Sequence, residues 1–105
     1  MRFYEKLLLS DAIKESKETV IEKIETGKLL FHTYIIAVPI GCTDSQLEIF
    51  HVEFNNQLIF KNQDYLIVGI SVGYQEAIDM VVEITHHIYK ETSDAQIKKY
   101  YISKL

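Results

Sequence analysis

The fold class of this chain is decided by one stretch of its sequence, Asp64-Tyr-Leu-Ile-Val-Gly-Ile-Ser-Val-Gly-Tyr-Gln-Glu-Ala77. Residues 65–72 form an almost unbroken apolar run rich in β-branched residues, which is typical of a strand covered on both faces. From Tyr74 onward, apolar residues recur at helical spacing, which predicts an amphipathic helix that ends near 91–93. A strand that passes through glycines directly into a helix is a usual place for a binding site in an α/β-type domain.

The length and composition indicate one globular domain over residues 1–105. Of these residues, 48% are hydrophobic and 25% are charged, which is ordinary for a globular protein. The single proline and the four glycines leave no extended linker or low-complexity segment. A chain of this size buries roughly two thirds of its unfolded surface, which is enough for one core.

The charge balance argues against nucleic acid and membrane partners. The net charge is −4 and no dense cluster of Lys and Arg is present, whereas binding to phosphates requires positive charge. Anionic membrane surfaces are disfavoured for the same reason. The longest apolar runs have about eight residues, which is too short to span a bilayer.

Two features predict a cytoplasmic protein. The segment Met1–Leu9 carries charges at Arg2, Glu5 and Lys6, so its apolar stretch is too short for a signal peptide. Cys42 is the single cysteine, so an internal disulfide cannot form.

Periodicity and turn residues predict the elements before this stretch. A helix begins after Ser10 or Asp11, has apolar residues at helical spacing, and ends at Gly27. Two apolar segments, 29–38 and 47–54, are separated by a short turn. They therefore predict an antiparallel hairpin.

The predicted order of elements is α-β-β-β-α, followed by a short C-terminal element. Residues 3–9 and 94–105 are each compatible with a helix or a strand. Because the two amphipathic helices must bury their apolar sides on the sheet, we expect a two-layer α+β domain with about three strands. The strand within 29–38 has the longest apolar run, so we expect it to be central.

Several phrases of the sequence resemble one group of bacterial proteins. The phrases are Leu-Ser-Asp-Ala-Ile-Lys (9–14), Leu-Glu-Ile-Phe-His (47–51), Tyr-Leu-Ile-Val-Gly-Ile (65–70), Gly-Tyr-Gln-Glu-Ala (73–77) and Ile-Tyr-Lys-Glu-Thr (88–92). They resemble small uncharacterised proteins of Gram-positive anaerobic bacteria, for which no activity is known. The resemblance covers most of the chain. It implies a cytoplasmic bacterial protein and carries over no functional residue.

The first candidate site is the strand–helix junction, with Gly69, Ser71, Gly73 and Tyr74 as its residues. The N terminus of a helix offers unpaired N–H groups and a partial positive charge, which suit a phosphate or a carboxylate. Glycines also let a ligand approach the backbone. The alternative interpretation is structural, because Gly69 then admits a packed side chain and Gly73 makes the turn. The sequence fingerprints of dinucleotide and P-loop sites are missing.

His32 and His51 form the second candidate site, as a metal-binding or catalytic pair. In the predicted hairpin they lie nearly opposite each other, with Cβ atoms about 5 Å apart. A third ligand would have to come from Cys42, Glu53 or elsewhere, and the spacing is not diagnostic of a metal site. The alternative is that each histidine is a partly exposed strand residue.

Two other groups also have both structural and functional interpretations. His86 and His87 lie in the last turns of the second helix, where the helix dipole favours a protonated imidazole. Glu83 precedes them at the spacing used in carboxylate-bridged metal sites. The pair Tyr100-Tyr101, in a chain with seven tyrosines and no tryptophan, suits contact with another subunit.

The function that we expect from these observations is self-association without catalysis, most simply as a homodimer. A small apolar sheet leaves edges and faces that a second copy covers. The alternative is a regulatory module that binds a small anionic ligand at the Gly69–Gly73 junction. The third hypothesis is an enzyme or metal protein that uses His32 and His51. No cofactor is expected.

Overall fold

The computed structural model describes residues 2–28, 30, 32–41, 45–52 and 64–105. Within them the chain forms four strands, three α-helices and one 3-10 helix. In chain order these are β1 (Arg2–Leu9), the 3-10 helix (Asp11–Ser16), α1 (Lys17–Glu25), β2 (Thr33–Pro39), β3 (Glu48–His51), β4 (Tyr65–Val72), α2 (Tyr74–Thr92) and α3 (Ile97–Ile102).

The four strands form one mixed sheet in the order β1-β4-β2-β3. β2 runs antiparallel to both of its neighbours, with Ile36 opposite Ile49 of β3 and Gly69 of β4. β1 runs parallel to β4 on the other side. The two most apolar strands therefore occupy the centre, as predicted for the strand within 29–38.

Alternate residues of the central strands pack against helices on opposite faces of the sheet. The face under α2 and α3 buries Ile36, Val38, Leu66, Val68, Ala77, Met80, Ile84, Ile88, Ile97 and Tyr101. The face under α1 buries Val20, Ile24, Ile35, Ala37, Val52, Tyr65, Ile67 and Ile70. Full burial of one such apolar side chain contributes about 1.5–3 kcal/mol, so both faces stabilise the sheet.

The predicted α+β class is confirmed, and three of its details change. The segment left open at 3–9 is the strand β1, so the described sheet has four strands rather than about three. The tail contains the short helix α3. Helices lie on both faces of the sheet instead of forming a single second layer, because β2 and β4 bury side chains on both faces.

The hairpin and the two main helices are present, with adjusted ends. β2 and β3 pair as an antiparallel hairpin. The first helix starts as the 3-10 helix and becomes α-helical at Lys17. Gly27, just beyond its end, has φ +73°, which explains why a glycine ends this helix.

β1 is an outer strand whose register with β4 is interrupted. Between its paired residues Phe3 and Leu8, the strand has four residues where β4 has one. Such a bulge twists an edge strand and terminates regular pairing. Glu5 and Lys6 are exposed within the bulge, and charges at an edge further discourage pairing with another strand. This edge is therefore protected against extension of the sheet.

Candidate functional site

The strand–helix junction is held by hydrogen bonds within the chain. Gly73, between β4 and α2, has φ +91°, a backbone conformation that residues with a side chain rarely adopt. Its N–H donates to the carbonyl oxygen of His32 at 2.6 Å, which ties the start of β2 to the start of α2. The prediction that Gly73 makes the turn is confirmed by this geometry.

Two serines complete the hydrogen bonds of the junction. Ser71 is fully buried, and its hydroxyl donates to the carbonyl oxygen of Gly73 at 3.2 Å. Ser10 is also buried, and its hydroxyl oxygen accepts the N–H of Val72 at 2.9 Å. The N–H groups of Val72 and Gly73 and the hydroxyl of Ser71 are therefore directed to partners in the protein rather than to an anion.

Gly69 has a packing role inside β4. A Cβ atom at this position would lie 3.1 Å from Cδ1 of Ile36 and 3.4 Å from Sδ of Met80. The first distance is shorter than ordinary van der Waals contact, so the missing side chain leaves room for Ile36 of β2, and Met80 of α2 packs beside it. Gly69 is buried between these side chains and does not line an open pocket.

Tyr74 belongs to an aromatic cluster at the N terminus of α2. Its exposed ring meets the ring of Tyr34 edge-on, with centroids 5.4 Å apart. Tyr34 in turn stacks on the imidazole of His51, with centroids 4.5 Å apart and planes 10° from parallel. Of the four predicted junction residues, Tyr74 is therefore the one whose side chain is displayed at the surface.

The expected pairing of His32 with His51 is wrong by two residues. The residue opposite His51 is Tyr34, whereas His32 precedes β2, is exposed and has φ +51°. Among the residues that the structure describes, no group of three His, Cys, Asp or Glu side chains is arranged to hold a metal ion. The other ligands considered, Cys42 and Glu53, lie outside the described residues.

A groove of about 490 Å³ opens along one side of α2, between that helix, β1 and the C-terminal tail. We name it the tail groove. Its lining consists of Tyr4, Lys6 and Leu8 from β1, Glu83, Ile84, His87 and Glu91 from α2, Tyr100 and Tyr101 from α3, and Lys104. The groove therefore combines aromatic rings with side chains of both charges.

Three tyrosines form the aromatic wall of the tail groove. The rings of Tyr4 and Tyr101 have centroids 5.0 Å apart and planes at 86°. Those of Tyr100 and Tyr101 are 5.4 Å apart at 85°. Edge-to-face contacts of this kind contribute about 0.5–1.5 kcal/mol each beyond area burial. Burial raises the pKa of the Tyr101 phenol, so this phenol is uncharged at neutral pH.

Glu91 lies beside a histidine and a tyrosine in the tail groove. Nε2 of His87 lies 3.3 Å from Oε1 of Glu91, and the same carboxylate acts on the Tyr100 phenol. Partial burial and this carboxylate raise the pKa of the Tyr100 phenol. The ammonium of Lys104 lies over the Tyr100 ring, 5.1 Å from its centroid. A carboxylate, a ring face and a cation are therefore grouped at one end of α2.

An exposed apolar stripe runs along the outside of α2. Tyr74, Val82 and Tyr89 are 56%, 53% and 60% exposed. At 100° per residue, the three lie within about 80° of one another around the helix. The half-buried Ile78 lies between them. We name these four residues the outer stripe, and such an aligned apolar surface is typical of a protein contact.

The sequence indicates the outer stripe better than it indicates the tail groove. Tyr100 and Tyr101 stand out as contact residues, but nothing local relates them to Tyr4 or Lys104. Those residues meet because β1 pairs with β4, which brings the two ends of the chain together. The outer stripe does have a sequence signal, because its residues recur on one side of the predicted helix.

The chain matches no protein-family model, no curated protein and no solved structure. In the part of the chain that the structure describes, no helix is both long enough and apolar enough to cross a membrane. The surfaces that bear on function are therefore the outer stripe, the tail groove and the junction.

Proposed function

We propose that this protein functions as a cytoplasmic homodimer without catalytic activity, and that two copies pair through the outer stripe of α2. The observation that carries the proposal is the exposure of Tyr74, Val82 and Tyr89 on one side of the longest described helix. Tyrosine suits such contacts because its rigid ring covers apolar area at small entropic cost. The bulged β1 edge is a poor surface for association through that side of the sheet.

The outer stripe is self-complementary in an antiparallel helix pair. Tyr74 lies eight residues before Val82, and Tyr89 lies seven residues after it. These separations are about 12 and 10 Å along the helix axis. A two-fold axis near Val82 therefore places each Tyr74 beside the partner's Tyr89. A contact between identical patches across a two-fold axis is the commonest arrangement of homodimers.

The polar residues beside the outer stripe have the same symmetry. Asp79 precedes Val82 by three residues, and His86 follows it by four on the same edge of the helix. Antiparallel pairing sets Asp79 against the partner's His86. The same pairing places the first half of this edge, which contains Asp79, beside the second half of the partner's edge, which contains Lys90. A parallel pair would instead place like charges together, which is unfavourable.

Light scattering or sedimentation equilibrium tests the proposal. At micromolar concentration the protein should have twice the chain mass of 12.2 kDa. Val82→Glu should have the mass of one chain, because two carboxylates would meet near the axis. Leu105→Glu is the matched control, since Leu105 is also exposed and apolar but lies outside the outer stripe, and it should remain dimeric.

Two results would contradict this function. A single-chain mass for the unmodified protein in the high micromolar range would exclude a useful homodimer. Loss of the dimer in Leu105→Glu but not in Val82→Glu would assign the contact to the tail. Circular dichroism of each variant checks that the fold is intact, which we expect because both positions are exposed.

A further inference from the structure

We infer that the tail groove binds an organic ammonium cation, and that the ammonium group of Lys104 occupies this site while the ligand is absent. The inference does not depend on the proposed dimer. The groove and the outer stripe lie on different sides of α2, and they share no residue.

One ring of the aromatic wall has a cation over its face. Edge-to-face contacts with Tyr101, at 86° and 85°, hold the rings of Tyr4 and Tyr100 in position. Proteins bind alkylammonium groups over tyrosine ring faces, because each face carries negative electrostatic potential. The Lys104 ammonium lies 5.1 Å from the Tyr100 centroid, within the range of this interaction. The chain's own cation therefore marks the position of the site.

The carboxylates of the groove favour a ligand of the same charge. Glu83 and Glu91 line it together with Lys6 and Lys104, so acids and lysines balance while Lys104 is in place. When Lys104 moves into solvent, the groove has an excess carboxylate that an incoming cation neutralises. An anion would meet both carboxylates and the negative faces of the tyrosine rings.

Lys104 is suited to be displaced. It lies beyond the last residue of α3, Ile102, and it is exposed. An exposed cation–π contact is weak, so a ligand that brings a more alkylated ammonium can replace it. Tyr101, in contrast, is buried and fixes the inner wall of the groove. The volume of about 490 Å³ is within the range of small-molecule sites.

Three small probes test whether the groove selects a cation. Choline is a quaternary ammonium, butylammonium copies the end of a lysine side chain, and 3,3-dimethyl-1-butanol is the neutral analogue of choline. Titration of the full chain, followed by NMR, should show saturable binding of at least one ammonium with shifts at Tyr100 and His87. The neutral analogue should not bind. Equal binding of the neutral analogue, or no binding of either ammonium at tens of millimolar, overturns the inference.

Two lysine variants test whether Lys104 is the internal occupant. Lys104→Ala removes the competitor and should tighten binding of the ammonium about two- to fivefold, the ratio that corresponds to a weak cation–π contact. Lys99→Ala is the matched control, because Lys99 is an exposed lysine of α3 that is not among the lining residues. Its affinity should equal that of the unmodified protein. An unchanged or weakened affinity in Lys104→Ala would show that Lys104 does not occupy the site.

The ring face is tested separately from the charge. Tyr100→Leu keeps an apolar side chain at the position but removes the aromatic face, so the affinity for the ammonium should fall about tenfold, as for a partly desolvated cation–π contact. Tyr100→Phe keeps the face and should rescue most of the affinity. If Tyr100→Leu binds the ammonium as well as the unmodified protein, the ring does not form the site.

Discussion

The two sides of α2 differ in what the rest of the chain brings to them. On the groove side, Glu83 and Glu91 meet β1 and the tail, and their surroundings contain rings and lysines. On the outside, Tyr74, Val82 and Tyr89 remain more than half exposed. Both sides belong to one helix, which has a single row of buried residues. The two sides therefore differ because of their tertiary neighbours and not because of helix propensity.

This difference separates two kinds of recognition on one element. A concave surface with rings and balanced charges suits a small polar ligand, because each group can contact it from a different direction. A convex row of exposed apolar side chains suits another protein surface. The following predictions test that separation, from the largest expected effect to the smallest.

The buried row between the two sides should dominate the stability of the fold. Ile84→Ala removes a buried side chain from the core under α2 and should reduce the free energy of unfolding by about 2–5 kcal/mol. Val82→Ala, on the exposed outside, should change it by less than about 0.5 kcal/mol. Urea denaturation at low protein concentration measures both values. Similar losses for the two variants would mean that α2 is rotated from the orientation described.

The packing of Ile36 and Met80 under α2 should depend on Gly69. Gly69→Val introduces a side chain against Ile36 and Met80 and should destabilise the fold by about 1–3 kcal/mol through overpacking. Gly41→Val is the control, because a Cβ atom there would meet nothing within 4 Å. Thermal denaturation of the two variants compares them. If both lose the same stability, the close packing of Ile36 and Met80 at Gly69 does not stabilise the fold.

Alkaline pH should destabilise the fold through Tyr101, a residue of the tail groove. Burial raises the pKa of the Tyr101 phenol, which means that folding favours its neutral form. The associated stability is complete below the unfolded pKa of about 10 and is lost as the pH rises toward the higher folded value, by up to about 1.4 kcal/mol per pH unit. Urea midpoints should therefore stay level from pH 8 to about 9.5 and fall between about pH 10 and 11. Tyr101→Phe should reduce this slope, whereas an unchanged slope would mean that the phenol is not buried in solution.

The junction should give the smallest effect. Because the N–H of Gly73 donates to His32 and Glu76 already places a carboxylate in the first turn of α2, millimolar phosphate should leave the melting temperature unchanged beyond a matched salt control. Ligands that bind only the folded state raise this temperature, so thermal shift reports directly on the question. A rise specific to phosphate would restore the hypothesis of an anion site at the junction.

The sequence predicted those elements whose signal is local. β4 (Tyr65–Val72) and α2 (Tyr74–Thr92) have the expected bounds, because an apolar run and a helical period are properties of neighbouring residues. Residues 3–9 are compatible with a helix or a strand in the sequence, and the charges Glu5 and Lys6 interrupt the alternation of a strand. The structure shows that these charges fall in the bulge, where regular pairing with β4 is lost.

The candidate sites depended more on tertiary placement. The offset between His32 and His51 follows from the register of the hairpin, which apolar runs alone do not determine. The tail groove combines Tyr4 with Lys104, near opposite ends of the chain, and no local pattern relates them. Gly73 was predictable because a strand that turns directly into a helix requires a special backbone conformation.

The central claim is that two copies pair antiparallel through the outer stripe. Spin labels at Lys90→Cys in a Cys42→Ser background measure this arrangement by double electron–electron resonance. Lys90 lies eight residues from Val82. With the axis near Val82, the two labelled positions are separated by about 24 Å along the helices, so distances of roughly 25–35 Å are predicted. Distances below about 18 Å would indicate a parallel pair, and absence of dipolar coupling would indicate no pair; either result would contradict the account.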